Sequence, residues 1–154
     1  MTPTKSAPET TAAARDRALL IMNADDWGLN RLTTDRTLDC CQLGAVSSVS
    51  AMVFMDDSER AAALARERGV EAGLHINFTT PFSARGVPER LAEHLQRTAA
   101  HLSRHRLAQM VFHPGLMRSF EYLATAQLGE FRRLYGVAPE KIDGITICIS
   151  PRTS

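Results

Sequence analysis

From residue 18 onward, short apolar runs alternate with stretches of helical periodicity. The run Ala18-Leu19-Leu20-Ile21-Met22 leads into Asn23-Ala24-Asp25-Asp26, the pattern of a buried parallel strand and the loop at its C-terminal end. Arg31 to Leu43 reads as a helix stopped by Gly44. Val46 to Phe54 is β-branched and alternating, a second strand, and Asp57 to Arg68 is an Ala/Arg/Glu helix closed by Gly69. Val70 to Asn77 forms a third strand. Beyond a loop containing Pro and Gly, a polar helix is expected from about Pro88 to Ala108 and another from about Arg118 to Tyr135, closed by Gly136. Lys141 to Ile149 begins a fourth strand. This rhythm predicts an α/β fold, a parallel sheet with right-handed crossovers. Residues 1 to about 17 carry Thr, Ala, Pro and charge without apolar periodicity, and read as a disordered tail.

Composition narrows the function classes. The 154 residues suit one domain, 44% hydrophobic and 23% charged. With 18 Lys and Arg against 17 Asp and Glu, the net charge of +1 excludes a basic nucleic-acid binder. No apolar run approaches the roughly 20 residues of a membrane helix, and Ala18 to Met22 is too short for a signal-peptide core. Three cysteines, two of them adjacent (Cys40 and Cys41), make no disulfide framework, so the economical reading is a reduced, cytoplasmic protein. Cys40 and Cys41 are expected to be small core residues of the first helix.

Two motifs can carry chemistry. In Asn23-Ala24-Asp25-Asp26-Trp27-Gly28 two consecutive carboxylates end a strand, an arrangement that is costly unless a cation intervenes; the plainer reading is that one caps the next helix. In Gly73-Leu74-His75-Ile76-Asn77 an imidazole also stands at a strand end, where the plainer reading is a satisfied rim histidine. The conjunction matters more than either motif. C-terminal strand ends of parallel α/β folds converge on one face, so Asp25, Asp26 and His75 are expected to approach one another. Carboxylate plus neutral imidazole is a ligand set for Zn²⁺, Mg²⁺ or Mn²⁺. By contrast, His94, His101 and His105 fall on a polar, Arg-rich helix and are expected on its solvated face. His113-Pro114-Gly115 reads as a turn without chemistry.

The sequence resembles the YdjC-like carbohydrate deacetylases, which include the chitooligosaccharide deacetylases. The resemblance runs through NADDWG at 23–28, SSVSAMV at 47–53, GLHIN at 73–77, and EFRRLYG with KIDG between 130 and 144. It implies a (β/α) barrel, here partial and ending after about four parallel strands, and a metal-dependent hydrolase that removes acetyl groups from N-acetylated sugars. By similarity, Asp25 would be the general base activating a metal-bound water, and Asp26 and His75 would be ligands to a divalent metal, Mg or Zn. Asn23 and Asn77 would orient those groups by hydrogen bonds, or else cap backbone at the strand ends. Trp27 stands where the family more usually has Phe, and is expected at the pocket wall. Two other readings stay open: a non-catalytic remnant serving as a binding module, and a phosphoester metallohydrolase. The latter ranks lower because only Arg31 and Arg85 stand in the strand-end loops.

In the family the KIDG strand continues into a histidine-rich run that supplies a third ligand. Here the chain reads Gly144-Ile145-Thr146-Ile147-Cys148-Ile149-Ser150-Pro151-Arg152-Thr153-Ser154. Ile codons begin AT and Thr codons AC, so a preceding C converts each to a histidine triplet in the shifted frame. One such reading from Gly144 is GHHHLHLAANV. Residues 145–154 are therefore expected to be frameshifted, and Cys148 a product of the shift. A complete barrel needs about 250 residues, roughly twice the length that remains after the tail. An incomplete barrel is expected to expose a strand edge and an apolar inner sheet face, to be marginally stable, and to be inactive or impaired with one ligand missing. Sequencing the locus should reveal, one nucleotide out of register after the codon for Gly144, an open frame encoding the histidine run. An intact frame with no coding region beyond it would refute the shift.

Overall fold

The computed structural model describes residues 20–104 and 114–144. The expected tail at 1–17, Ala18 and Leu19, His105 to Ala108, His113 and the segment 145–154 with Cys148 lie outside the described residues. Four strands form one parallel sheet in sequence order: β1 (Asn23–Trp27), β2 (Ser48–Ala51), β3 (Glu71–Ile76) and β4 (Ile142–Gly144). Between them lie α1 (Arg31–Gln42), α2 (Ser58–Arg68), α3 (Glu89–Arg104) and α4 (Met117–Tyr135), the last preceded by a 3₁₀ turn at Pro114–Leu116. The α/β class and parallel sheet agree with the expectation from sequence.

The first strand needs correction. Among the described residues Leu20 to Met22 are not part of it, and the motif Asn23–Trp27, expected to be the loop, is itself the strand. Leu20, Ile21 and Met22 precede it and are 81%, 75% and 50% exposed. The physical reason is the ladder: Asn23 stands opposite Ser48 and Ala24 opposite Val49, so pairing with β2 begins where the apolar run ends. Helix ends match more closely. Asn30 caps α1, its side chain accepting from the Thr33 amide at 3.0 Å, while Gly69 and Gly136 end α2 and α4 in the left-handed conformation.

Side chains alternate along the sheet and divide its two faces. Val49, Ala51 and Leu74 point to a core made with Ala61, Ala62 and Ala65 of α2 and Phe131, Leu134 and Tyr135 of α4. The intervening positions, Ser48, Ser50, His75 and Asp143, are polar and joined by hydrogen bonds on the other face. The expectation of an apolar inner face is thus overturned: small hydroxyls occupy it, and each finds a partner. A second cluster of Leu91, Leu95 and Leu123 joins α3 to α4, with Phe54, Phe78 and Phe82 against it.

Several side chains sit differently from the sequence reading. Cys40 is exposed, whereas Cys41 is half-buried and packs against the core on the face of α1 that also buries Thr34 and Thr37. His94 is not on a solvated face: its Nδ1 lies 3.0 Å from the Ser119 hydroxyl and its ring 4.8 Å from that of Tyr122 on α4. His101 is half-buried on the same helix.

A charged clasp ties α1 to the start of α2. Arg60 donates from Nε and NH2 to the two oxygens of Asp57 at 2.8 and 2.7 Å and reaches Asp35 of α1 at 2.8 Å. Burial would raise the Asp57 carboxyl, but hydrogen bonds from Arg60 and Thr34 and the charges of Arg60 and Arg31 hold it below the ordinary carboxylate value. A depressed folded pKa stabilises the fold above the ordinary value, and that contribution is lost as pH falls through the depressed one. Asp57→Asn should therefore lower stability in urea unfolding at pH 7 by about 1–3 kcal/mol. The deficit relative to the parent should shrink below roughly pH 4. An equal deficit at pH 7 and at low pH would contradict this.

Candidate metal centre

The Asp25-Asp26 pair owes its geometry to one irregularity. Ala24 faces Val49 and Trp27 faces Ala51, so three steps along β1 are matched by two along β2. The extra residue is a bulge, and Asp26 takes a left-handed backbone with φ of 62°. Aspartate is one of the few side chains that enter this region readily. A regular strand would send consecutive carboxylates to opposite faces. Here an Asp26 oxygen lies 3.6 Å from His75 Nε2, and Asp25, His75 and Asp143 each present a ligand-type atom within 4.8 Å of the others.

His75 occupies the far end of β3 and is 5% exposed. Its Nδ1 lies 2.6 Å from Asp143 Oδ1, the residue directly opposite it in the β3–β4 register. The second Asp143 oxygen accepts from Ser50 Oγ at 2.5 Å, and Lys141 Nζ is 3.8 Å away. Burial works against ionisation of Asp143, yet the hydrogen bonds from Ser50 and His75 and the charges of His75 and Lys141 prevail and hold its carboxyl below the ordinary range. An ionised carboxylate only accepts, so the ring donates from Nδ1; in its neutral form the lone pair is then on Nε2, which faces Asp26.

With the ring neutral, Nε2 and the Asp26 oxygen are two acceptors facing each other at 3.6 Å, an arrangement that a proton or a metal ion between them relieves. The spacing is compatible with one ion at the about 2.0–2.2 Å typical of zinc–nitrogen and zinc–oxygen bonds. The donor set, an imidazole nitrogen and carboxylate oxygens, therefore fits a divalent metal.

Asn23 holds Asp25 in place from the start of β1. Its amide donates to Asp25 Oδ1 and to Ser50 Oγ, both at 2.8 Å, while its carbonyl accepts from Ser48 Oγ at 2.8 Å and Lys141 Nζ at 2.5 Å. The other two candidates stand apart from this network. Trp27 is completely buried in the helix-side core, its Nε1 donating to the Ala61 carbonyl at 3.2 Å, and so forms no pocket wall. The bulge is the cause, since it returns residue 27 to the apolar face. Asn77 caps backbone: its side chain accepts from the Thr79 and Thr80 amides and donates to the Thr80 carbonyl. Its own backbone is bracketed by the buried Gln127 amide, which fastens the end of β3 to α4.

Sequence reasoning missed Asp143, Ser50 and Lys141. The available signal was their polarity within otherwise strand-like segments. The fourth strand was expected to run on to Ile149, which left Asp143 near its start instead of level with the end of β3.

Known proteins with similar sequences share this outline. A family model described as YdjC-like protein matches residues 19–146. A carbohydrate deacetylase of Mus musculus is 31% identical over 134 residues, which is 83% of this chain and 42% of that protein. A chitooligosaccharide deacetylase of Serratia marcescens is 39% identical over 77 residues, 49% of this chain and 30% of that protein. The chain thus spans less than half the length of these relatives. A crystal structure from Enterococcus faecalis V583, of a protein whose name refers to cellobiose-phosphate cleavage, superposes with a TM-score of 0.62 at 21% identity. That match covers 81% of this chain and 47% of the other, and supports the fold.

Gly73 permits the close approach of β4 that brings Asp143 to His75. A Cβ there would lie 2.8 Å from the Lys141 carbonyl oxygen and 3.1 Å from its Cβ. Gly73→Ala should push β4 away, cost about 1–3 kcal/mol in urea unfolding as overpacking does, and weaken Zn²⁺ binding by isothermal titration. Unchanged stability and affinity would show that the strand can give way freely.

Proposed function

Because the chain belongs to the YdjC-like protein family, we propose that it is a metal-dependent deacetylase of N-acetylated carbohydrates, an amide hydrolase. The observation that carries this reading is the convergence of Asp25, Asp26 and His75 at adjoining strand ends. The names of its relatives, carbohydrate and chitooligosaccharide deacetylases, support the substrate class.

In this reading Asp26 and His75 hold a divalent ion, magnesium or zinc, both compatible with one imidazole and carboxylate oxygens. When bound, the ion supplies Lewis-acid polarisation of the amide carbonyl and acidifies water. Asp25 is the general base. It is exposed, so a water molecule can reach it, and the Asn23 amide fixes one of its oxygens, leaving the other to take the proton. His75 binds through Nε2, because Nδ1 is engaged by Asp143. Trp27 and Asn77 serve the frame that presents these groups and do not touch substrate.

Acetate release from N-acetylglucosamine oligomers tests the reading. Slow release that requires added Mg²⁺ or Zn²⁺ and stops with chelator is the expected outcome. Asp25→Asn should reduce it by roughly 10²–10⁴-fold while ion affinity is largely kept. Phosphoester hydrolysis without acetate release would favour the phosphoester reading, and sugar binding without turnover would favour a binding module.

A further inference from the structure

Resting on the deacetylase reading, we propose that Asp143 is a positioning residue: it fixes the tautomer and ring orientation of His75 so that Nε2 is presented as a ligand to a divalent ion. Two other roles for this carboxylate are open to it in principle, direct ligation and a purely structural strand contact, and the geometry disfavours both.

Direct ligation would have to draw on oxygens that already accept strong hydrogen bonds. Both of its oxygens are engaged, Oδ1 by His75 Nδ1 at 2.6 Å and Oδ2 by Ser50 Oγ at 2.5 Å. The hydroxyl of Ser50 is completely buried and itself accepts from the Asn23 amide. Asp143 is thus gripped by an ordered relay, Asn23 to Ser50 to Asp143 to His75. The relay begins at the residue that also orients Asp25. A carboxylate behind a ligating imidazole settles which nitrogen carries the proton and makes the other nitrogen more basic.

A purely structural contact would leave the ring free to choose its tautomer. Here the alternative tautomer would set the Nδ1 lone pair against Asp143 Oδ1 at 2.6 Å, two acceptors in contact. Only the ring protonated at Nδ1 is compatible with an ionised Asp143. In the neutral ring the Nε2 lone pair then faces the Asp26 carboxylate at 3.6 Å, where a metal ion can be held between them. The register of β4 enforces this pairing, since His75 and Asp143 are direct neighbours across the ladder.

Nitrogen-15 NMR of histidine-labelled chain, without metal and with the ring neutral, reads the tautomer directly; the His75 signal is assigned by its loss in His75→Gln. The expected result is a proton on Nδ1. Should the chain sediment, magic-angle spinning gives the same reading from the solid. In Asp143→Asn the carboxamide can keep its oxygen toward Ser50 and turn its NH₂ to Nδ1, so the proton should move to Nε2. Such a change of acceptor disables an imidazole while preserving geometry. Zn²⁺ affinity should then fall by about 10–100-fold. A wild-type ring protonated at Nε2 overturns the proposal, and this measurement decides even if the variant does not fold. A folded Asp143→Asn chain with an unchanged tautomer overturns it as well. If the tautomer behaves as expected but no divalent ion binds, the positioning contact stands, and both the ligand role of His75 and the proposed deacetylase chemistry fall.

Discussion

In an unbroken β-strand Asp25 and Asp26 would leave the sheet on opposite faces, one of them driven into the helix-side core. The extra residue opposite Val49 and Ala51 prevents this. It lets both carboxylates address the His75 face and returns Trp27 to the apolar side, where it is wholly buried. The cost is a left-handed backbone at Asp26, of order 1–3 kcal/mol for most non-glycine residues and less for aspartate. Core burial of the next residue offsets it. Acidic site and hydrophobic anchor are consequences of one local deformation.

The sheet has two unlike faces, and each constrains the other. Parallel strands covered on both sides by helices are apolar throughout. Here the helix-side positions follow that rule, whereas Asn23, Ser48, Ser50, His75 and Asp143 form a connected polar network on the reverse. Buried hydroxyls are tolerated because they are partnered, Ser48 with Asn23 and Ser50 with both Asn23 and Asp143. Small side chains at Ser48, Ser50 and Gly73 leave the room that the larger Lys141, His75 and Asp143 need. Polarity at these positions is therefore part of the architecture and not a gap in the core.

Element order and helix ends are legible in the amino-acid pattern because they rest on local chemistry. Gly69 and Gly136 end their helices in the left-handed conformation that glycine alone adopts without cost, and the 3.6-residue period of α4 is plain. The first strand is misplaced by the pattern because an apolar run and a strand are different things. Leu20, Ile21 and Met22 satisfy the hydrophobic pattern, but residue pairing with β2 starts at Asn23. Convergence of Asp25, Asp26 and His75 follows from strand ends sharing one rim. The part played by Asp143 does not, since it depends on register between β3 and β4, which no residue pattern specifies here. Trp27 is misjudged from sequence for a related reason: its direction is decided by a bulge, visible only in the backbone.

The family assignment and the bulge share a further residue. Trp27 follows the acidic pair directly and donates to the carbonyl of Ala61 in α2, so the indole is a rivet between β1 and the helix behind it. It is also the single tryptophan of the chain. The protein thereby carries one indole fluorophore, excitable apart from its two tyrosines, shielded from water and a single peptide bond away from Asp26. Its emission is an optical gauge of whether this corner of the sheet is assembled, readable with no label attached.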